Sequence, residues 1–176
     1  MNDLSTLKAH IEDAFSGAVY PGDWCLIDSR EGIEPALLEE EFKGRTDWRT
    51  LDPRFIDRAP DGFGTALSFF SDEAFRYYLP AYLLADLDGK LQQADVVFAL
   101  THGFDNESRD EKINPRRYGE RTWFDYARFK YAMFTVRQVR AISIYLAFKA
   151  ESDSITDFEK QRIRQALDNY WAARAS

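Results

Sequence analysis

The chain has 176 residues, of which 45% are hydrophobic and 15% aromatic, and its 30 acidic and 23 basic side chains give a formal net charge of −7. This composition excludes an intrinsically disordered chain and a membrane-spanning helix, and the negative charge argues against nonspecific DNA binding. The sequence opens without the segments of a secretory signal, and its single cysteine, Cys25, cannot form an intramolecular disulfide, so we expect a cytoplasmic protein.

The first part of the chain predicts two helices joined by turns. Apolar residues three and four positions apart predict a helix over Leu4–Phe15. Tyr20–Asp23 has the composition of a turn, and Trp24–Ile27 fits either an extended piece or loop packing. A second helix is predicted from Pro35 to about Gly44, because proline is tolerated at the first helical position and glycine at the end. Thr46–Gly64 is predicted to be an ordered loop.

The middle of the chain carries the strongest helix signal. A serine followed by two acids predicts a helix from Ser71 to about Leu87. Pro80 either kinks this helix or begins another. Lys90–Thr101 favours a helix, with a buried strand over residues 96–100 as the alternative. Phe104–Glu120 is polar and is predicted to be a mobile loop.

Three helical segments are predicted to close the chain. Trp123–Phe134 is rich in aromatics, Thr135–Lys149 opens with a capping box, and Ser154–Ala173 has an apolar stripe on one face. Together these patterns predict an all-α, or nearly all-α, fold. We expect one domain over residues 1–176, built as a bundle of about six to seven helices with long ordered loops.

Residues able to support catalysis are sparse. The two histidines, His10 and His102, have no neighbours at metal-ligand spacing, and Cys25 lies between apolar residues rather than beside a base. No phosphate-binding loop or nucleophile elbow is present. The sequence therefore predicts no catalytic residue, no metal and no cofactor, and it favours a non-enzymatic protein.

Four polar side chains cluster around Pro80. Tyr77, Tyr78 and Tyr82 lie close together in the sequence with Arg76 beside them. They fit a hydrogen-bonded core, because buried tyrosine hydroxyls need partners, or a ligand pocket at a helix kink. Both interpretations stay open from the sequence, and the second predicts a small-ligand binder or an enzyme.

At Phe75-Arg76-Tyr77-Tyr78-Leu79-Pro80-Ala81-Tyr82-Leu83 the sequence resembles a bacterial family of uncharacterised proteins. Phe42, Gly44 and Trp48 precede this block as in that family, and the helix carrying Gln138 follows it. The resemblance implies a small cytoplasmic bacterial protein and transfers no activity.

Charge is unevenly divided along the chain. Residues 1–88 hold 18 acidic and eight basic side chains, whereas residues 89–176 hold 12 and 15. The leading hypothesis is therefore a protein-interaction module, for example an acidic immunity-like or antitoxin-like protein that masks a basic partner. The residues predicted to bind this partner are Glu34, Glu39, Glu40 and Glu41.

Arginines alternate with aromatics over Arg116–Tyr131. This pattern suits nucleic-acid binding or, more simply, a helix with core aromatics and a basic outer face. A protein partner is favoured over nucleic acid, no membrane association is expected, and the oligomeric state is left open.

Overall fold

A computed structural model describes residues 3–176. The α-helices are α1 (Leu4–Phe15), α2 (Ile33–Phe42), α3 (Pro53–Arg58), α4 (Ala66–Phe69), α5 (Asp72–Leu87), α6 (Val96–Thr101), α7 (Pro115–Tyr118), α8 (Trp123–Tyr131), α9 (Val136–Ala150), α10 (Asp157–Ala166) and α11 (Ala172–Arg174). Six of these helices, all within residues 3–176, have nine residues or more. The same part of the chain contains two isolated antiparallel bridges, Ile27–Phe70 and Lys112–Thr122, and no β-strand. The predicted all-α fold is confirmed.

Helix termini follow the capping residues in the sequence. The Ser71 side chain accepts a hydrogen bond from the Ala74 amide at the start of α5, and Thr135 with Gln138 closes the predicted capping box of α9. Residues 96–100 lie in helix α6, which confirms the helix and not the alternative of a buried strand. Pro80 lies inside one continuous α5, which settles the alternative that it begins a new helix.

Several segments differ from expectation: the predicted loop 104–120 contains α7, the predicted helix over 90–101 begins only at Val96, and the one over 123–134 ends at Tyr131. The predicted loop 46–64 contains α3, which begins at Pro53 where the Asp52 carboxylate accepts from the Arg54 amide at 2.7 Å. A helix of six residues is too short to show a periodic pattern. The predicted last helix changes to a π-helical segment over Leu167–Trp171 before α11.

The chain forms two compact units. In Lys8–Val96, α5 supplies much of the core, and the Tyr78 ring lies 4.9 Å from Phe42 and 5.2 Å from Phe70 between centroids. Edge and stacked ring contacts of this kind add to the stabilisation from apolar burial.

The other unit comprises the segment up to Leu7 and Val97–Ser176. Its core is aromatic: Phe104 stacks on Tyr170 with centroids 4.0 Å apart, and the Trp171 indole donates to the Leu100 carbonyl at 2.9 Å. That residues 1–176 form one domain, and that 104–120 is mobile, stay predictions. Within residues 3–176 no helix has both the length and the apolar character needed to cross a membrane.

Candidate interaction cleft

A surface cleft of about 320 Å³ lies in the unit formed by Lys8–Val96. Its lining residues are Asp23, Trp24, Glu39, Glu40 and Lys43. The cleft therefore combines three carboxylates, one ammonium group and an indole ring. The Trp24 side chain is 82% exposed, which is unusual for the largest apolar residue type.

Gly22 determines where the Trp24 ring lies. Its backbone has φ +98°, a conformation that favours glycine, and it precedes the 3₁₀ turn Asp23–Cys25. A Cβ atom at position 22 would lie 2.6 Å from Trp24 Nε1. The indole therefore lies directly over the glycine backbone, and a larger residue would displace it.

Asp23 fixes this turn to the end of α2. Its Oδ1 accepts hydrogen bonds from the Gly44 amide at 2.7 Å and from the Tyr20 hydroxyl at 2.5 Å. These hydrogen bonds hold the pKa of the Asp23 carboxyl below its ordinary value, and the one from Gly44 has the larger effect. Asp23 is therefore ionised at neutral pH and contributes a permanent negative charge.

Glu39 and Glu40 supply the acidic wall of the cleft. Glu39 is half-buried and forms a two-pronged ion pair with Arg30, at 2.6 and 2.7 Å. Glu40 is exposed, and its side chain forms no hydrogen bond or ion pair within residues 3–176. The Arg30 side chain is 72% exposed, so Glu39 accepts a guanidinium of the same chain at the protein surface.

The other two predicted partner-binding acids have structural contacts. Glu34 accepts from the Thr65 hydroxyl at 2.8 Å, and Glu41 accepts from the Asp61 amide at 2.7 Å. Both carboxylates therefore anchor the 61–65 segment to α2. The structure brings two of the four predicted acids, Glu39 and Glu40, to the cleft.

The predicted tyrosine cluster lies in the core behind this region. Tyr77 and Tyr78 are buried and donate to the carbonyls of Thr46 and Arg45, at 2.5 and 2.7 Å. Burial, followed by the charge and hydrogen bond of Tyr20, raises the pKa of Tyr78. These tyrosines thus hold the loop that follows α2, and Tyr20 joins them to Asp23 at the cleft.

The remaining members of that cluster differ in environment. Tyr82 is fully buried, and its hydroxyl has no hydrogen-bond partner among residues 3–176. Arg76 is half-buried. A ligand-binding role for Arg76, Tyr77, Tyr78 and Tyr82 stays a prediction.

Asp23, Trp24 and Lys43 line the cleft but were not predicted from the sequence, and Trp24 is the most exposed apolar one. Its apolar neighbours predicted either an extended segment or a loop packed on the core. The available signal was the preceding Gly22-Asp23 pair, because glycine permits the left-handed backbone and aspartate can accept from backbone amides.

The fold and cleft define an all-α protein with an acidic, tryptophan-lined surface site. No group of three or more potential metal ligands occurs in the part of the chain that the structure describes. Residues 3–175 match the Family of unknown function (DUF6714), and the chain belongs to this family. No curated protein and no solved structure matches the chain.

Proposed function

We propose that the protein is a protein-interaction module that binds a basic segment of a partner in the Trp24 cleft. The observation that carries this proposal is the 82% exposed Trp24 ring beside Asp23, Glu39 and Glu40. An indole face attracts guanidinium and ammonium groups, and the adjacent carboxylates form ion pairs with them. The combination is selective for arginine or lysine side chains.

The charge of the surrounding unit supports the same partner class. Residues 8–96 contain 18 acidic and nine basic side chains. An excess of this size steers a basic partner toward the acidic surface and raises its association rate. Lys43 repels a basic side chain that approaches it, so we expect the basic residues of the segment to contact Trp24 and the carboxylates rather than Lys43.

Each contact in such a site is weak by itself. A cation–π contact at an exposed site contributes about 0.5–1 kcal/mol, and an exposed ion pair about 0.2–1 kcal/mol. Useful affinity therefore requires several contacts made together. An immunity-like or antitoxin-like protein that masks a basic toxin is the concrete version of this function that we propose.

A labelled arginine-rich peptide of about eight residues tests the cleft directly. We expect Trp24→Ala to weaken binding about fivefold and Glu40→Gln about threefold, from the magnitudes of exposed cation–π and ion-pair contacts. Fluorescence anisotropy at low salt measures both changes. Far-ultraviolet circular dichroism verifies that the variants are folded.

Glu12→Gln is the matched control. Glu12 is exposed, lies on α1 in the same unit and does not line the cleft. Its replacement removes the same charge as Glu40→Gln. Equal losses for the two variants, or full affinity in Trp24→Ala, would show that general acidity and not the cleft binds the peptide.

The native partner is sought by affinity capture from the source cytoplasm. A stoichiometric basic protein retained at physiological salt, released at high salt and lost with Trp24→Ala supports the proposal. Retention by the Trp24→Ala variant contradicts it.

A small-ligand site near Pro80 is the second candidate, and the unpartnered Tyr82 hydroxyl favours it. A metabolite that raises the melting temperature of the native protein but not of Tyr82→Phe would support this alternative.

A further inference from the structure

A second exposed surface lies in the unit formed by Val97–Ser176. It is built by Arg116–Tyr131, which includes α7 and α8 and which we call the arginine–aromatic surface. Three of its rings are open to solvent: Tyr118 is 43%, Tyr126 40% and Phe129 70% exposed. The Trp24 cleft does not include any of these residues.

The burial pattern of α8 departs from that of a simple amphipathic helix. An amphipathic helix places its aromatics in the core and its charges outside. In α8, Tyr131 is buried, but Tyr126 and Phe129 lie on the exposed side together with Arg128. Packing in the core therefore accounts for the ring of Tyr131 but not for those of Tyr126 and Phe129.

Guanidinium groups accompany the rings along this surface. Arg117 lies 5.5 Å from the Tyr118 centroid, and Arg121 lies 5.8 Å from that of Phe129. Arg128 lies 5.9 Å from the Phe124 centroid. Cationic and planar groups thus alternate within contact distance of each other.

The surface is also positively charged, in contrast to the whole protein. Arg116–Tyr131 contains five basic and two acidic side chains. Both acids already have partners: Glu120 pairs with Lys112 at 2.6 Å, and Asp125 closes the α8 capping box with Thr122. The excess of basic over acidic side chains therefore gives the surface a net positive charge.

We infer that the arginine–aromatic surface binds single-stranded nucleic acid. Unpaired bases stack on exposed rings, and phosphates are contacted by guanidinium groups, so one polymer satisfies both features of the surface. A duplex hides its base faces and would offer no stacking surface to Tyr126 and Phe129. The overall charge of −7 disfavours nonspecific attachment of a polyanion elsewhere on the protein.

Fluorescence anisotropy with labelled oligothymidylate and oligouridylate of about 12 nucleotides tests this inference. We expect Phe129→Ala to weaken binding at least about fivefold, since base stacking is lost. Contacts to about three phosphates predict an affinity decrease of about 20-fold between 50 and 200 mM salt. Arg121→Ala with Arg128→Ala should reduce that salt dependence.

Two controls match the chemistry of these changes. Phe158→Ala removes another exposed ring, and Arg164→Ala removes another exposed guanidinium, both on α10 and outside the surface. Absence of binding at 50 mM salt, or equal losses in the controls, would overturn the inference. So would equally tight binding of a duplex or of a polyglutamate peptide, the latter indicating an acidic protein partner.

The experiment is independent of the proposed protein interaction. Trp24→Ala should leave oligonucleotide binding unchanged, because Trp24 is not a residue of the arginine–aromatic surface. Loss of peptide binding with retained oligonucleotide binding, or the reverse, identifies which of the two proposals fails.

Discussion

Individual polar atoms in the core differ sharply in how well they are satisfied. Tyr78 donates to the Arg45 carbonyl at 2.7 Å, whereas the equally buried Tyr82 hydroxyl has no partner among the described residues. A buried hydroxyl without a hydrogen bond costs about 1–3 kcal/mol, and a satisfied one contributes about 1 kcal/mol. The two tyrosines therefore make opposite contributions to stability at the scale of one atom.

This contrast predicts the effect of removing each hydroxyl. Tyr82→Phe should leave the free energy of unfolding unchanged or raise it by about 1 kcal/mol, because an unsatisfied group is lost. Tyr78→Phe should lower it by about 1 kcal/mol. Urea unfolding followed by circular dichroism measures both. A larger loss for Tyr82→Phe than for Tyr78→Phe would mean that the Tyr82 hydroxyl has a partner in solution.

At the scale of elements, the approach of α8 to the preceding loop depends on one glycine. Gly103 has φ +87°, and a Cβ atom there would lie 2.7 Å from the Trp123 carbonyl oxygen and 2.9 Å from the Ala127 Cβ. Gly103→Ala should therefore lower the free energy of unfolding by about 3 kcal/mol, through backbone strain and displacement of α8. Chemical denaturation measures this loss.

Gly119→Ala separates the two causes. Gly119 has φ +62°, but a Cβ atom there would lie in open space. Gly119→Ala should therefore introduce only backbone strain and lower the free energy of unfolding by about 1 kcal/mol. Equal losses at positions 103 and 119 would contradict close packing of α8 against Gly103.

Elements could be predicted from the sequence where their signals are local. Ser71 and the Thr135-Gln138 capping box each marked a helix start within a few residues, and the periodic apolar residues of α1 marked its face. The helix α3 was missed because six residues carry too little periodicity. The exposure of Trp24 could not be predicted, because it depends on the Gly22 backbone and on how Asp23 contacts the end of α2.

At the scale of the whole molecule, charge is segregated between the two units. Residues 8–96 are strongly acidic, whereas Arg116–Tyr131 in the other unit is basic. The two proposed sites therefore select ligands of opposite charge. Salt weakens both interactions, so the two ligands and the matched variants, rather than salt sensitivity alone, distinguish the two sites.

Several carboxylates distributed over both units have pKa values below their ordinary values in the folded state. They are Asp23, Asp88, Asp105, Asp125 and Glu159. A lowered folded-state pKa means that the unfolded chain takes up protons first as pH falls. The stabilisation that each carboxylate contributes is therefore complete at a pH well above its unfolded-state pKa. It is lost as the pH falls from the unfolded-state pKa to the lower folded-state pKa.

Asp105 should dominate this acid sensitivity because its side chain is fully buried. Burial raises the pKa of its carboxyl, but hydrogen bonds from Ser108 and the Arg162 guanidinium at 3.0 Å outweigh that effect. Asp105→Asn should lower the free energy of unfolding by about 2 kcal/mol at pH 7, since the Arg162 charge loses its partner. It should also flatten the decline in stability below about pH 4.

Urea unfolding across this pH range checks both effects, with Asp125→Asn as the exposed counterpart. The Asp125 carboxylate is stabilised chiefly by the Thr122 backbone amide, and its charge lies in solvent, where screening reduces its contribution. Its replacement should therefore change the pH dependence less than Asp105→Asn does. A wild-type pH profile in Asp105→Asn would show that acid lability arises from the exposed carboxylates together, and not from the buried ion pair.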